Sequence, residues 1–326
     1  MISDQPQAQS EAGSKPPVRQ GAQDLSVVIL TYNTRDLALD CIDSVVRASE
    51  GIDVEVIVTD NGSIDGTLTA IRDRFPNVII VENKENLGFS GGNNRGIEIS
   101  TGRHILVLNP DTIVHKDALK LTMEYVEQHP ECGMVGCRVI RPDGTVQKSW
   151  YAEWSLFQAI WEGLGLQVIM PISRIDGKLV LSKRAPNRAV CADRILGCFM
   201  WMPRKVIEKV GLFDERFFLY CEEEDICRRI RNQGLEVIYN PEPEIVHLGG
   251  QTTKDITDFS RIQSNISKVL WMKKHRGAGA VLAFRLIWSA ALILRVVVRA
   301  PLATRSQYFR QVVKGEWKSI GAIWRN

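Results

Sequence analysis

The sequence is short of the features that mark several large protein classes. Its 7 cysteines, in 326 residues, are an odd number. No two of them form a Cys-x-x-Cys pair, so neither a disulfide framework nor a zinc site is indicated, and buried reduced thiols are expected. Residues 1–23 hold no apolar stretch of the kind that heads an exported chain. Rich in Gln, Ser, Ala, Gly and Pro, they read as a disordered leader, which leaves the folded body in the cytoplasm. No Gly-x-Gly-x-x-Gly turn follows the first apolar run. Thr31-Tyr32-Asn33-Thr34 stands there instead, which argues against a dinucleotide-dependent dehydrogenase. No internal repeat is visible.

What is present suits a globular chain: 44% of residues are hydrophobic and 24% charged. The net charge of +3 hides an asymmetry. From Lys268 to Asn326 there are 12 Lys and Arg against one acid, Glu316, a net of +11, and the rest of the chain carries −8. So basic a tail attracts anionic lipid or nucleic acid. Ala280–Val298 is strongly apolar but interrupted by Arg285 and Arg295. A spanning helix needs about 20 predominantly apolar residues, and a central Arg costs about 2.5–3.5 kcal/mol on insertion scales. An interfacial helix is therefore favoured, with a buried domain helix as the plain alternative. Trp271, Trp288, Trp317 and Trp324 in this apolar, basic setting favour lipid over nucleic acid. The Gly, Ser and aromatic interleaving of RNA-binding segments is absent.

The body alternates strand and helix. Leu25–Leu30 reads as a buried strand, Asp36–Ser49 as a helix, Val54–Val58 as a strand and Asp65–Phe75 as a helix. Val78–Val81 is a third strand, Ser90–Ser100 a helix and Ile105–Leu108 a fourth strand. Such alternation predicts an α/β unit with a mainly parallel sheet. Thr31/Asn33, Asp60/Asn61 and Asn109/Asp111 then all fall at strand carboxyl ends, where such sheets gather ligands. Further strands are expected at Met134–Ile140, Ile195–Met202, Leu235–Tyr239 and Glu244–His247, and helices at Glu222–Asn232 and Asp258–Lys274. Trp150–Leu166 reads either as a helix or as a substrate-facing loop.

Eight segments occur in an order that resembles the family 2 glycosyltransferases. They are Ser26–Asn33, Asp60–Gly66, Asn86–Gly96, Leu108–Asp111, Gly197–Met200, Gly211–Phe218, Tyr220–Arg229 and Val246–Gly250. The resemblance covers roughly Leu25 to Thr253. It implies a GT-A-type nucleotide-sugar-binding fold over 24–256, with a C-terminal helical, membrane-associating extension over 257–326. A sugar-1-phosphate nucleotidyltransferase would share the architecture, but its Gly-rich signature and the Lys after the first strand are missing.

The implied donor is a nucleotide-diphosphate sugar. Thr31, Asn33, Asp60, Asn61, Asn86, Gly88, Asn93, Arg95 and Asn109 are the candidates to bind it. Asp60 suits a base or ribose, and the resemblance places it there; an Asx-turn through Asn61-Gly62 is compatible. Asn86–Gly96 is Gly- and Asn-rich before a helix, which permits close backbone approach and favours negative charge. Arg95 could meet a phosphate or sit on the surface. Diphosphate calls for a hard cation, Mg2+ or Mn2+. Asp111 is the metal candidate, in a motif where Asn109 replaces the first acid of Asp-x-Asp. His247 resembles the later histidine that ligates metal in many relatives.

The run Glu222-Glu223-Glu224-Asp225 opens a helix whose apolar stripe is Ile226, Cys227 and Ile230. Helical spacing directs Glu223 along that stripe, and leaves Glu224 and Asp225 four residues before Arg228 and Arg229 for surface ion pairs. By resemblance Glu223 holds the place of the general base, with Glu222 and Asp225 as alternatives. The implied reaction is a displacement with inversion. The motif combination is most like bacterial rhamnosyltransferases of cell-wall and polysaccharide assembly. It implies dTDP-L-rhamnose, or else a UDP-sugar, as donor, and a polyprenyl-diphosphate-linked glycan as acceptor at the inner membrane face. Trp150, Tyr151 and Trp154 are candidates to stack on acceptor, with core packing as the alternative. A non-catalytic carbohydrate-binding or scaffold protein is the reading of another class, and the joint presence of Asp60, Asp111, Glu223 and His247 argues against it.

Overall fold

The computed structural model of the chain describes residues 23–249, 257–304 and 306–325. The leader expected over 1–23 lies, Gln23 apart, outside the described residues, as does the boundary expected at 256.

The first apolar run forms β1 (Leu25–Thr31), followed by α1 (Arg35–Ala48), β2 (Val54–Asp60), α2 (Thr67–Arg74), β3 (Ile79–Glu82), α3 (Gly88–Ile99) and β4 (His104–Leu108). β1 pairs in parallel with both β2 and β4, and β2 with β3. β1 is mainly apolar, and buried but for Leu30, because both of its faces are covered. Val27 and Ile29 join the core of α1, while Val28 joins Ile97 of α3. The strand order reverses between β2 and β4, so the carboxyl ends of β1 and β4 bound a crevice.

Next come β5 (Thr112–Val114), α4 (Ala118–Gln128), β6 (Cys132–Ile140), β7 (Val146–Gln147), β8 (Trp150–Tyr151), α5 (Leu156–Gly163) and α6 (Leu166–Ile169). A hairpin of β9 (Ile172–Ile175) and β10 (Lys178–Leu181) turns on Asp176-Gly177, both at positive φ as a two-residue hairpin turn demands. β11 (Val190–Cys191), β12 (Arg194–Ile195), β13 (Phe199–Pro203), α7 (Arg204–Val210), α8 (Glu222–Asn232) and β14 (Glu236–His247) complete the body. β13 runs antiparallel between β4 and β6, and β14 lies parallel to β6. The large sheet is ordered β11-β14-β6-β13-β4-β1-β2-β3, with β5 on β14 and β7 on β6.

Two strand expectations need correction. Ile195–Met202 is not one strand: β12 ends at Ile195, and Leu196–Cys198 breaks away before β13. Leu235–Tyr239 and Glu244–His247 are instead parts of one strand, β14, whose register slips between Tyr239 and Glu244. Pro241 and Pro243 occupy that slip, where proline costs no ladder bond.

α9 (Thr257–His275), α10 (Ala278–Ala303) and α11 (Gln307–Arg325) pack together and against the body. Val281, Phe284, Trp288, Leu292 and Val296 form the buried stripe of α10. Leu282, Leu286, Ile293 and Val297 form an exposed one. Arg285 lies over the Trp324 ring at 5.8 Å, and Arg295 donates to the Glu162 carbonyl at 2.6 Å. Both arginines thus turn toward protein. Ala278–Pro301 is long and apolar enough to cross a membrane, by length and composition, with a mean hydropathy of 2.1. The helix is accordingly neither wholly buried nor free-standing: one face is in the bundle and the other is bare and apolar.

Candidate active site

A pocket of about 310 Å3 opens at the crevice beyond β1 and β4. Three walls supply its chemistry: the β1–β2–α3 side, the Asn109–Asp111 turn with His247, and the start of α8.

On the first side, Asp60 is buried at the end of β2 and accepts from Thr31 Oγ1 at 2.9 Å. Its other oxygen accepts from the backbone N–H of Gly62 (3.0 Å) and Ser63 (2.8 Å), the expected Asx-turn. Asn33, at φ 52°, closes that loop by accepting from the Ile64 N–H at 2.8 Å. Asn61 donates to Asn86 Oδ1 (3.1 Å) and to the Gly88 carbonyl (3.0 Å), and accepts from Asn83 at 2.9 Å. Thr31, Asn61, Asn86 and Gly88 line the pocket. Gly88 sits at φ 72°, and a Cβ there would stand 2.3 Å from the Phe218 carbonyl. The next N–H, of Phe89, donates to that carbonyl at 2.7 Å. Helix α3 therefore begins at the pocket, two residues earlier than its expected start, and aims its N-terminus there.

Not every candidate of this side reaches the pocket. Asn93 is buried within α3 and donates to the Phe89 carbonyl at 2.9 Å. Arg95 is half-exposed and pairs with Glu98 at 3.3 Å. Neither lines the pocket, and nor do Asn33 and Asp60, which brace its edge through the hydrogen bonds above. Gly92 and Gly96 serve packing, since a Cβ at either would overlap Leu30 or Val28 of β1.

Asn109 and Asp111 lie in the turn between β4 and β5, both lining the pocket. The antiparallel pairing of β5 with β14 sets His247 opposite Thr112, beside Asp111. His247 Nε2 stands 3.3 Å from Asp111 Oδ1. Its Nδ1 is 3.0 Å from Gln147 Oε1. With Nδ1 donating to Gln147, Nε2 presents its lone pair to a carboxylate oxygen. Two acceptors so placed call for a cation between them. Their separation suits two ligands at about 2.0–2.2 Å from one ion. The pair fits a divalent metal as far as protein ligands go. Among the described residues, no group of three or more His, Cys, Asp or Glu could hold one alone.

Opposite them, Tyr220 (φ 71°) and Cys221 (φ 66°) precede α8 in the left-handed region. Two such non-glycine residues in a row cost about 1–3 kcal/mol each. They turn the chain so that Glu222 and Glu223 face the pocket. Glu222 is buried, and its Oε2 has no partner among the described residues. Burial first, then the neighbouring Glu223 carboxylate, pushes the Glu222 carboxyl well above the usual range. Glu223 accepts from Arg194 Nη1 at 3.1 Å. Arg194 also lies 3.4 Å from Glu224 and 4.3 Å over the Tyr151 ring.

The surface ion pairs expected for Glu224 and Asp225 need correction, because both side chains are buried. Glu224 accepts from the Trp154 backbone N–H rather than meeting Arg228, which pairs with Glu153. Burial pushes the Glu224 carboxyl up to about 7. Asp225 does pair with Arg229, at 2.8 Å, but inside the protein, and its other oxygen meets Lys274 (2.6 Å) and His275 (2.7 Å). Burial alone would raise its carboxyl, yet His275, Lys274 and Arg229 outweigh that and hold it below the usual range. It does not line the pocket. Trp150 and Trp154 are core residues; Trp154 packs edge-on against Phe284 and Trp288.

Sequence reasoning missed Arg194 and Gln147, and gave the Gly197–Met200 segment no place at the site, although Gly197 and Cys198 line the pocket. Arg194, just before the single strand expected over Ile195–Met202, carries no local signal of its role. Nothing local marks Gln147, which reaches His247 across 100 residues of chain.

With this geometry in view, the comparisons gain meaning. The sequence profile described as Glycosyl transferase family 2 matches residues 26–210. The chain is 26% identical over 308 residues to an N-acetylglucosaminyl-diphospho-decaprenol L-rhamnosyltransferase of Mycobacterium tuberculosis, covering 89% of this chain and 98% of that one. It is 27% identical over 221 residues to the low-salt glycan biosynthesis hexosyltransferase Agl10 of Haloferax volcanii, covering 66% and 64%. Among solved structures it resembles a mannosyltransferase of Pyrobaculum calidifontis in complex with GDP-Man and Mn2+. That match has a TM-score of 0.56 at 18% identity, covers 96% of this chain and 90% of that one, and speaks for the fold.

Proposed function

This chain belongs to glycosyl transferase family 2, and we propose that it transfers L-rhamnose from dTDP-L-rhamnose to a polyprenyl-diphosphate-linked glycan at the cytoplasmic face of a membrane. The observation that carries the transfer chemistry is one pocket with the Asp111–His247 pair on one wall and Glu222–Glu223 on another. The sugar and the acceptor are supported by the mycobacterial rhamnosyltransferase, which this chain matches over nearly its full length. The membrane is supported by the bare apolar face of α10 and by the basic tail.

Thr31, Asn61 and the Asn86–Gly88 turn hold the nucleotide side of the donor. The N-terminus of α3 favours its negative charge. Asp111 and His247 would hold a Mg2+ or Mn2+ ion, which would offset charge on the departing diphosphate. Glu223 takes the proton of the acceptor hydroxyl as that oxygen attacks the anomeric carbon. The carbon–oxygen bond to diphosphate breaks on the opposite side, so the anomeric configuration inverts and the nucleoside diphosphate leaves with the bonding pair. Arg194 fixes the Glu223 carboxylate toward the pocket. Glu222, whose carboxyl burial raises well above its usual range, lines the pocket beside Glu223.

The test is turnover by purified protein with Mg2+ or Mn2+, membrane lipid extract and a panel of dTDP- and UDP-sugars. Rhamnosyl transfer confined to dTDP-rhamnose is the expected result. Transfer from a UDP-sugar alone would overturn the sugar assignment while leaving the pocket chemistry in place.

A further inference from the structure

We infer that the segment from α5 through the β9–β10 hairpin is a lipid-docking element within the catalytic body, seated on an anionic bilayer beside the bare face of α10. It rests on the proposal that the enzyme works at a membrane surface, and it adds a second contact that the tail does not supply.

Helix α5 uses one face for the protein: Gln158, Ala159 and Gly163 are buried. Its other face shows Phe157, Ile160 and Leu164 to solvent. Helix α6 has no buried residue at all, and Val168 is 87% and Ile169 68% exposed. Leu179 and Leu181 on β10 are more than half exposed as well. Apolar residues gathered in this way mark an interaction surface rather than the scattered exposure of any protein.

This patch continues onto α10. The two helices touch where Gly163 meets Ala291, so closely that a Cβ on Gly163 would stand 2.8 Å from the alanine methyl. Arg295 donates to the Glu162 carbonyl one turn later. Leu294 and Val298 share that side of α10 and are 49% and 65% exposed. The apolar faces of the body and of the tail therefore adjoin.

Charge decides the occupant. Within residues 156–184 the only acids are Glu162 and Asp176. Each is held in an ion pair, with Lys268 and Arg188 respectively. Lys178, Lys183 and Arg184 are exposed beside the apolar residues. Apolar side chains rimmed by unopposed cations suit an anionic lipid surface. The attachment also reaches the chemistry. α5 leaves the body at Trp154, whose backbone N–H bonds Glu224, the neighbour of Glu223. Docking α5 on lipid thus sets the height of the acid wall above the bilayer.

The experiment is flotation of the full chain with vesicles, either phosphatidylcholine alone or mixed with phosphatidylglycerol. Wild type should bind the anionic vesicles. Ile160→Glu with Val168→Glu should weaken binding roughly tenfold or more, with dTDP binding and melting temperature unchanged. Lys183→Glu should weaken it about fivefold at low salt and less at high salt. Val168→Glu alone keeps the test valid should the double variant unfold, since α6 buries nothing. Wild-type partitioning of the Val168 and Lys183 variants would overturn the docking element and spare the membrane reading. Failure of the wild-type chain to bind either vesicle would overturn both.

Discussion

On the β1–β2–α3 side of the pocket, polar groups are held by hydrogen bonds to uncharged partners, several of them to backbone within the same turn. Asp60 bonds Gly62 and Ser63, and Asn86 bonds Gly88. On the α8 side, Glu223, Glu224 and Asp225 are held chiefly by charges from distant elements, while buried Glu222 has no such partner among the described residues. Glu223 and Glu224 meet Arg194 of β12, Asp225 meets Lys274 and His275 of α9, and Glu153 meets Arg228, Arg231 and Arg276. The first construction fixes geometry largely by turns that each segment can form alone. The second fixes protonation states, and exists only once the whole chain has folded. A site that must grip a rigid nucleotide and also tune an acid uses each construction where it is suited.

The sharpest way to break this division is at the wall that joins the two sides. Asp111→Ala removes the carboxylate that, among the described residues, stands beside His247. Transfer should fall by about a thousandfold or more while the fold survives. A wild-type rate at saturating Mg2+ and Mn2+ would remove Asp111 from the metal role.

Within the acid wall, Glu223→Gln should lower kcat by about 100-fold or more with little change in donor KM. Asp225→Asn should act differently. It leaves the partly buried Arg229 and Lys274 facing an amide, so its main effect is a stability loss of roughly 3 kcal/mol, read by chemical denaturation. The converse pattern, a dead Asp225→Asn enzyme of normal stability beside an active Glu223→Gln one, would move the base to Asp225.

This contrast also explains what was legible in the sequence. The β1–α1–β2–α2–β3–α3–β4 alternation and the ligand-facing strand ends could be read because buried parallel strands and local turns write their pattern into adjacent residues. Glu222–Asn232 was read to the residue for the same reason. The burial of Glu224 and Asp225 on that helix was not. Helical spacing names neighbours within α8, whereas Arg194 and α9 decide which faces are buried. Likewise α4 was overlooked despite helical spacing at Leu119, Met123 and Val126, and the hairpin behind Asp176-Gly177 was passed over although its turn is written in two residues.

The donor side has its own weak point. Gly88→Ala forces a methyl into the left-handed region and against the Phe218 carbonyl. A stability loss of about 3 kcal/mol or more is expected, from strain plus overlap. An unchanged melting temperature would show that the α3 turn can shift, and that the donor side is less rigid than its hydrogen bonds imply.

The smallest expected effect tests whether the acid wall tunes protons at all. Burial lifts the Glu224 carboxyl from an ordinary 4.5 to about 7, against the pull of Arg194. A carboxyl raised on folding binds its proton more tightly folded than unfolded. Its contribution is therefore complete below about pH 4.5 and is lost as pH rises through about 7. Depressed carboxyls such as Asp225 act in the opposite sense at lower pH, and within pH 5 to 7.5 the His104 ring, lowered to about 4 by burial, opposes the loss while Glu222 adds to it, so the Glu224 share is read as the difference between wild type and a Glu224→Gln variant. Over that window the wild-type chain should lose up to about 2 kcal/mol of stability through Glu224. Glu224→Gln keeps the shape, cannot ionise, and should remove that share of the slope in denaturant titrations at the two pH values. If the slope persists unchanged in the variant, Glu224 is ionised in the folded protein throughout. Arg194 then serves two carboxylates at once, and the wall holds its charge by pairing, with no help from burial.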